Sequence, residues 1–427
     1  MNIYLDTIGC RLNQAEIEQM ARQFRAEGHT IIAEAAGADL VVINTCAVTT
    51  EAAADSRQKI RQAARAGAGE IIPTGCWATL APEQALALPA VRRIVTNPHK
   101  DQLVTDLLGL PEEYFELEPL AREILPGLRH RTRAFIKVQD GCDNHCTFCI
   151  TSVARGAGRS RPVDEILADI RAALAGGTRE IILTGVHLGS WGQEFSSPRH
   201  LRELIQSILD KTDTPRLRLS SLEPWDLDAS FFSLWQDARL LPHLHLPLQS
   251  GSAATLKRML RKTSPDSFRE LVAAARSAIP GVAITTDVIA GFPGETDEEF
   301  AETLAFINEI DFAGGHVFSY SARPGTPASR IKAQVAADVK KARSTRLRAA
   351  FSQMSAWYRA KFIGQVVSIL WESSSELNER GWQMEGLSGN YIRVKATAPS
   401  PRWNQVDEVR INGLSDDGLA GEILGLE

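Results

Sequence analysis

Gly141-Cys142-Asp143-Asn144-His145-Cys146-Thr147-Phe148-Cys149 packs three thiols into eight residues, directly after the apolar run 134–139. The spacing is C-x3-C-x2-C. Three thiolates this close can wrap one small inorganic cluster. A 4Fe–4S cluster normally takes four cysteine ligands, so three leave one iron open to a reactant. The competing reading is structural zinc, which wants four closed ligands and would have to recruit His145. The spacing and the preceding strand disfavour zinc and leave His145 a solvated or supporting residue.

Downstream of this loop, strands are expected at 134–139, 180–184, 216–220, 243–246, 283–289 and 315–318. Helices are expected between them at 162–174, 200–211, 252–260, 265–278 and 297–310. Six strand–helix units predict a partial or full βα barrel, in which the chemistry sits at the C-terminal ends of the strands. The cysteine loop follows the first of these strands.

Upstream, the first hundred residues alternate in the same way. Strands are expected at 2–6, 39–44, 70–73 and 91–96, with helices at 13–27 and 51–66. Continuous apolar strands alternating with helices predict a parallel, doubly wound sheet. Cys10, Cys46 and Cys76 each stand just past a strand end, the edge at which such sheets bind ligands. A lone free cysteine is often only a small buried hydrophobe. Three at equivalent strand ends converge on one ligand.

Residues 110–133 read as a connector, acidic at Glu112, Glu113, Glu116 and Glu118 and basic at Arg122, Arg129, His130, Arg131 and Arg133. Residues 337–362 form a basic helical bridge with Lys340, Lys341, Arg343, Arg346 and Arg348. Beyond Gly364, short strands at 366–371, 382–385, 391–396 and 408–411 predict a small antiparallel barrel. The fold class is therefore α/β: an N-terminal doubly wound parallel-sheet domain (1–110), a linker (111–133), a partial (β/α)6 barrel (134–355) and a small all-β barrel (363–427).

The 427 residues are 44% hydrophobic and 23% charged, ordinary for a soluble globular protein. A net charge of −5 argues against a general nucleic-acid coat. Any RNA contact then falls to local patches, with the connector and the bridge the candidates. No run approaches the roughly 20 apolar residues of a membrane span, and residues 1–6 lack a signal-peptide pattern. A cytoplasmic protein with no membrane partner is expected, in which the six cysteines are not structural disulfides.

C-x3-C-x2-C after the first strand of a βα barrel resembles the signature of the radical S-adenosylmethionine superfamily. The resemblance implies that the open iron holds the amino and carboxylate groups of S-adenosylmethionine, which one electron cleaves to a 5′-deoxyadenosyl radical. It implies Phe148 beside the adenine, with plain core packing as the alternative. It also puts Gly185 and His187, in Leu-Thr-Gly-Val-His at 183–187, near the methionine amino group. Glu223, Gln249, Ser250 and Asp287 are implied on the cofactor side.

Taken with Cys10, Cys46 and Cys76, nearly the whole chain resembles the methylthiotransferase family. Leu-Pro-Leu-Gln-Ser-Gly at 246–251 and Tyr-Ser-Ala-Arg-Pro-Gly-Thr-Pro at 320–327 match as well, and all six cysteines are used. The resemblance implies a TRAM-type RNA-binding C-terminal barrel and two 4Fe–4S clusters. The auxiliary cluster, on Cys10, Cys46 and Cys76, would carry or donate sulfur. One S-adenosylmethionine would methylate that sulfur, and a second would supply the radical. Implied partners are tRNA at the anticodon stem-loop, an electron donor such as a flavodoxin or ferredoxin, and a sulfur source.

Gly-Cys-Arg-Leu-Asn-Gln-Ala-Glu at 9–16 looks most like the branch acting on N6-threonylcarbamoyladenosine at position 37 of tRNA. Isopentenyladenosine in tRNA and a ribosomal-protein aspartate are the alternative substrates. A non-catalytic iron–sulfur RNA-binding sensor is a more remote reading. A threonylcarbamoyl group carries a carboxylate, which calls for a positioned arginine. Arg11, Arg155, Arg159 and Arg161 are the candidates, with Asn13 beside them, and a salt bridge or solvated surface is the competing reading of each arginine. The C-terminal barrel is acidic overall, so it would either contact RNA through one face or serve mainly to order the substrate. Trp371, Trp382, Tyr391 and Trp403 offer stacking surfaces there, although core packing is the better reading for most.

Overall fold

The computed structural model describes residues 1–115, 132–378 and 381–425. The expected basic residues Arg122, Arg129, His130 and Arg131 lie outside them. Among the described residues, no helix is long and apolar enough to cross a membrane.

Strands β1 (Asn2–Thr7), β2 (Thr30–Ile32), β3 (Leu40–Thr45) and β4 (Glu70–Gly75) form a parallel sheet in the order β2-β1-β3-β4. Strand β3 is buried along its whole length, and its alternating side chains feed two cores. Leu40 and Val42 pack with Ile17, Met20 and Phe24 of helix Arg11–Ala26 on one face. Val41 and Ile43 pack with Ile60 and Ala63 of helix Thr50–Arg65 on the other. The sheet is thus doubly wound. Its neighbouring strands β1 and β3 lead to helices on opposite faces, which opens a crevice at their C-terminal ends. The strand expected at 91–96 is reduced to two isolated bridges, Ile71 with Val91 and Thr74 with Val95. Arg92 and Arg93 are exposed at this edge, where charged side chains blunt further pairing.

Strand β5 (Arg133–Lys137) opens the second unit, so Arg133 belongs to a strand rather than to the connector. A short hairpin of β6 (Gln139–Asp140) and β7 (Arg159–Ser160) flanks the cysteine loop. Strands β8 (Glu180–Thr184) and β9 (Leu217–Leu219) continue from β5 in parallel. Strands β10 (His243–His245), β11 (Ala283–Ala290) and β12 (Gly314–Ser319) form a second parallel triplet. Isolated parallel bridges, Leu217 with Leu240 and Ser221 with His245, join the two triplets into a six-stranded partial barrel. Ile181, Leu183, Leu217, Leu219 and Leu244 point outward into the core under the helices. The period of two then turns Glu180, Arg218, His243 and His245 inward.

Helix Ala337–Ala360 follows. It leaves Lys341, Arg346 and Arg348 exposed, but Arg343 is buried against Glu295 at 2.6 Å. Strands β13 (Val366–Asn378), β14 (Gly381–Ser388), β15 (Arg393–Ala398), β16 (Val406–Leu414) and β17 (Leu419–Ile423) close a barrel in the order β13-β14-β15-β17-β16. The fifth strand was not expected, because Leu-Ala-Gly-Glu-Ile carries only two large apolar anchors. Trp371 is fully buried, and its Nε1 donates to Asp407 at 2.7 Å, so it is core rather than a stacking surface.

This small barrel docks at the N-terminal ends of the β5–β12 strands. Glu180 there pairs with Arg216 at 3.0 Å and Arg218 at 2.7 Å. The two arginines in turn donate to the carbonyls of Leu387, Ser388 and Gly389. Tyr391, at φ +66°, turns inward and stacks on His243 with ring centroids 4.7 Å apart.

Candidate active site

The dense cysteine loop is fixed by its own backbone. Gly141 has φ +69°, and a Cβ there would lie 1.8 Å from the Ala157 carbonyl oxygen. Only glycine lets the chain pass. The Cys142 amide donates to Gly156 O at 3.0 Å and the Cys149 amide to Cys146 O at 3.0 Å. Thr147 donates its amide to Met259 O at 3.0 Å and accepts the Ala328 amide at 2.9 Å. Cys142, Cys146 and Cys149 are free, partly exposed thiols. The Asn144 amide approaches Cys142 Sγ at 3.4 Å, and Arg261 Nη1 approaches Cys146 Sγ at 3.8 Å. Arg261 is itself held by Glu223 at 2.6 Å, by Pro247 O at 2.5 Å and by the Trp225 face at 4.4 Å. His145 is exposed.

Of the residues expected on the cofactor side, His187 touches this loop at Asn144 and Glu223 reaches Cys146 through Arg261. His187 Nε2 meets Asp226 Oδ2 at 2.6 Å, and its Nδ1 lies 3.2 Å from Asn144 Nδ2. Burial alone would lower the His187 pKa, but Asp226 and Cys142 outweigh it and push it up to about 10. A side chain at Gly185 would crowd Gln139 Cβ at 3.1 Å. Phe148 meets Phe292 edge-on at 6.5 Å and joins an apolar cluster with Met259, Ile289 and Tyr320. Gln249 adopts φ +71° and donates its amide to Asp287 O at 2.8 Å. Ser250 is fully buried with its hydroxyl 3.0 Å from Thr303 Oγ1, so it braces the loop rather than facing an opening. Asp287 lies between His245 at 3.3 Å and His316 at 3.2 Å. Burial raises its carboxyl pKa, but the two imidazoles hold it below the usual range.

The sparse triad occupies the crevice of the N-terminal sheet. Cys10 leaves β1 and caps the following helix, Cys46 leaves β3, and Cys76 leaves β4. Gly9 at φ +100° and Gly75 at φ +90° make the approaches. Cys10 Sγ donates to Asn13 Oδ1 at 3.6 Å, and Asn97 Nδ2 donates to Cys76 Sγ at 3.6 Å. Burial pushes the Cys46 thiol up to about 11, and Cys10 and Cys76 lie close enough to add to that rise. A thiol raised in this way is neutral and inert unless a metal takes the proton's place. Donors aimed at sulfur also suit thiolate ligands. Both triads therefore fit iron–sulfur clusters.

A buried ionic hub joins the two units. Arg155 closes the short helix that follows Cys149, is 1% exposed, and donates to Glu16 at 2.9 Å, Asp140 at 2.8 Å and Asn13 at 2.7 Å. Glu16 also binds Lys100 at 2.7 Å. Burial would raise the Glu16 pKa, but Arg155, Lys100 and Lys137 hold it well below the carboxylate range. Two of the arginines expected at a substrate carboxylate are thus engaged elsewhere: Arg155 here, and Arg161 with Asp169 at 2.7 Å. Arg11 donates to the Tyr391 hydroxyl at 2.6 Å. Arg159 stays 47% exposed on its side chain, 3.9 Å from Asp140. Asn13 braces Cys10 and Arg155. Asn97, Arg261 and Glu16 were not anticipated, because no spacing marks a residue whose partner is remote in sequence.

Residues 136–307 match the model of the Radical SAM superfamily, and residues 2–96 match that of the Uncharacterized protein family UPF0004. The fold is shared with the radical S-adenosylmethionine methyltransferase TsrM from Kitasatospora setae, with a TM-score of 0.59 and 16% identity over 77% of this chain and 75% of that one. Fold and site thus define a radical S-adenosylmethionine enzyme, a class that works with S-adenosylmethionine and a 4Fe–4S cluster. The threonylcarbamoyladenosine tRNA methylthiotransferase MtaB of Bacillus subtilis is 36% identical over 95% of this chain and 92% of its own length. Its Thermotoga maritima counterpart is 35% identical over 98% and 96%. The tRNA-2-methylthio-N(6)-dimethylallyladenosine synthase of Cereibacter sphaeroides is 34% identical over 99% of both chains. The chain belongs to the radical S-adenosylmethionine methylthiotransferase family.

Proposed function

We propose that this enzyme converts N6-threonylcarbamoyladenosine at position 37 of tRNA to its 2-methylthio derivative. The observation that carries the reading is the meeting of the two cysteine triads at one interface. Asn97 Nδ2 donates both to Cys76 Sγ and, at 2.9 Å, to Ala154 O, five residues beyond Cys149. Arg155 beside it bonds Asn13, the partner of Cys10. A site for hydrogen abstraction and a site for sulfur donation must share one substrate base, and this interface supports that. The two relatives named for threonylcarbamoyladenosine support the choice of base.

In this reading Cys142, Cys146 and Cys149 hold the cluster that binds S-adenosylmethionine, and Cys10, Cys46 and Cys76 hold a second 4Fe–4S cluster. When bound, these groups supply the radical that removes hydrogen from an unactivated C–H, the sulfur that replaces it and the methyl group. The chain's residues position and shield. Arg261 and Asn144 donate to the thiolates, and Asp226 orients His187. Phe148, Gly185, Glu223, Gln249 and Asp287 shape the S-adenosylmethionine side, which Ser250 braces from within. A flavodoxin- or ferredoxin-type electron donor, a sulfur source and a cytoplasmic setting complete the reading. Exposed Lys341, Arg346 and Arg348 suit phosphate contact.

The test is anaerobic turnover of reconstituted protein with reductant, S-adenosylmethionine and tRNA bearing threonylcarbamoyladenosine. Wild type should yield 5′-deoxyadenosine and the methylthiolated nucleoside, and Cys46→Ala only the former. Product on dimethylallyladenosine tRNA alone would move the chain to the other tRNA branch. Product on neither RNA would sink the reading.

A further inference from the structure

The segment joining β12 to the helix Ala337–Ala360 threads between the two cysteine groups. At one end the Ala328 amide donates to Thr147 O at 2.9 Å, inside the dense loop. At the other, Ser321 Oγ meets Thr50 Oγ1 at 3.2 Å, four residues past Cys46. Arg323 lies between these anchors. Its carbonyl accepts both the amide of Thr326 at 3.1 Å and the hydroxyl at 2.8 Å, and Thr326 is 1% exposed. The backbone of Arg323 is therefore fixed at the seam between the units.

Two donor nitrogens of the Arg323 side chain are not satisfied. Its Nε and Nη2 are both buried, and neither has a hydrogen-bond partner among the described residues. Glu51 is the carboxylate whose charge acts on it, and the two form no ion pair. Buried donors without acceptors cost free energy and mark a missing partner. The two empty donors also define the partner's shape. Nε–H and one Nη2–H point in parallel from the same edge of the guanidinium, the fork that takes both oxygens of a carboxylate. Of the other arginines considered for this task, Arg11 is engaged with Tyr391, Arg155 with Glu16 and Asp140, and Arg161 with Asp169, while Arg159 is 47% exposed on its side chain and carries no buried fork.

We propose that Arg323 binds the carboxylate of the substrate's threonylcarbamoyl group and holds the target base between the two cysteine triads. This rests on the function proposed above. A dimethylallyl group has no charge and would leave the buried fork empty, which penalises that substrate. A backbone phosphate of the same RNA is the competing oxyanion.

The test uses reconstituted enzyme and three anticodon stem-loops: one with threonylcarbamoyladenosine, one with its methyl ester, one with dimethylallyladenosine. Affinity is read by fluorescence anisotropy without reductant, and kcat/KM is read with it. Wild type should prefer the acid over the ester by about 10- to 100-fold, the range for a charge-assisted hydrogen bond. Arg323→Gln should bind acid and ester alike, at the ester's level, with iron content and RNA-free S-adenosylmethionine cleavage unchanged. Arg323→Lys keeps the charge without the fork and should restore only part of the preference. The inference is overturned if Arg323→Gln keeps the full preference, or if it weakens acid and ester by one common factor, the mark of a phosphate contact. Should Arg323→Gln lose iron, Arg323→Lys decides, and full preference there overturns it. Wild type that modifies no threonylcarbamoyladenosine RNA would overturn the proposed function instead. Wild type that modifies acid and ester equally would overturn this inference alone.

Discussion

Replacing Gly9 with alanine should damage one cysteine triad and spare the other. Gly9 has φ +100°, and a Cβ built on it lies 2.6 Å from Cys46 Sγ and 2.7 Å from Cys46 Cβ. Non-bonded heavy atoms rest at about 3.5–4.0 Å, so the methyl group overlaps Cys46 by roughly 1 Å. Overpacking of this kind costs about 1–3 kcal/mol, and a left-handed conformation adds about 1–2 kcal/mol. The combined strain, on the order of 2–5 kcal/mol, is less than unfolding the unit and is relieved most cheaply by driving Cys46 out of the crevice. Gly9→Ala should therefore fold, carry about half the wild-type iron, still form 5′-deoxyadenosine, and no longer methylthiolate tRNA. Iron analysis, Mössbauer spectra and nucleoside mass spectrometry read these three outcomes. Full iron with wild-type methylthiolation would refute the steric argument. Loss of S-adenosylmethionine cleavage as well would refute the separation of the two triads.

The buried Glu180 carboxyl would be raised by desolvation, but Arg218 and Arg216 hold it at about 2. Its folded pKa is below the ordinary value of 4.5, so its contribution is full above that value and is lost as pH falls from 4.5 towards 2. Urea midpoints should drop across that window by an amount equivalent to about 3 kcal/mol, and an unchanged drop in Glu180→Gln would contradict the assignment. Arg155→Met leaves Glu16 and Asp140 short of a buried partner and should cost about 3–5 kcal/mol in denaturant titrations. A loss below about 1 kcal/mol would show that the hub is not what joins the units. Arg261→Met removes a cationic donor from Cys146 Sγ and should move that cluster's midpoint to more negative potential in an EPR-monitored titration. An unmoved midpoint would mean the 3.8 Å contact is electrostatically idle.

Much of this architecture is written in local pattern. Helices Pro265–Ala278 and Asp297–Ile310 fall where their apolar periodicity puts them, and in the structure Ser264 and Thr296 cap them. The six barrel strands fall within a few residues of their apolar runs. Strand β17 escaped because a five-residue edge with two large apolar anchors carries too little signal. The expected strand at 91–96 failed because pairing depends on what borders a sheet edge, not on the segment's own propensity.

The cysteines show the same division. Chain order and the strand–helix alternation determined that Cys10, Cys46 and Cys76 would meet at one edge, because a parallel sheet sends every strand's C-terminal end the same way. C-x3-C-x2-C is local, so Cys142, Cys146 and Cys149 were legible outright. Only the tertiary structure decided which arginines are engaged. Arg155 and Arg161 look as available in sequence as Arg323, but a guanidinium's partners lie tens to hundreds of residues away, and burial with or without an acceptor is a property of packing. For the same reason Asn97, Arg261 and Tyr391 acquire roles that no motif marks: their chemistry is ordinary, and their position is made by the rest of the chain.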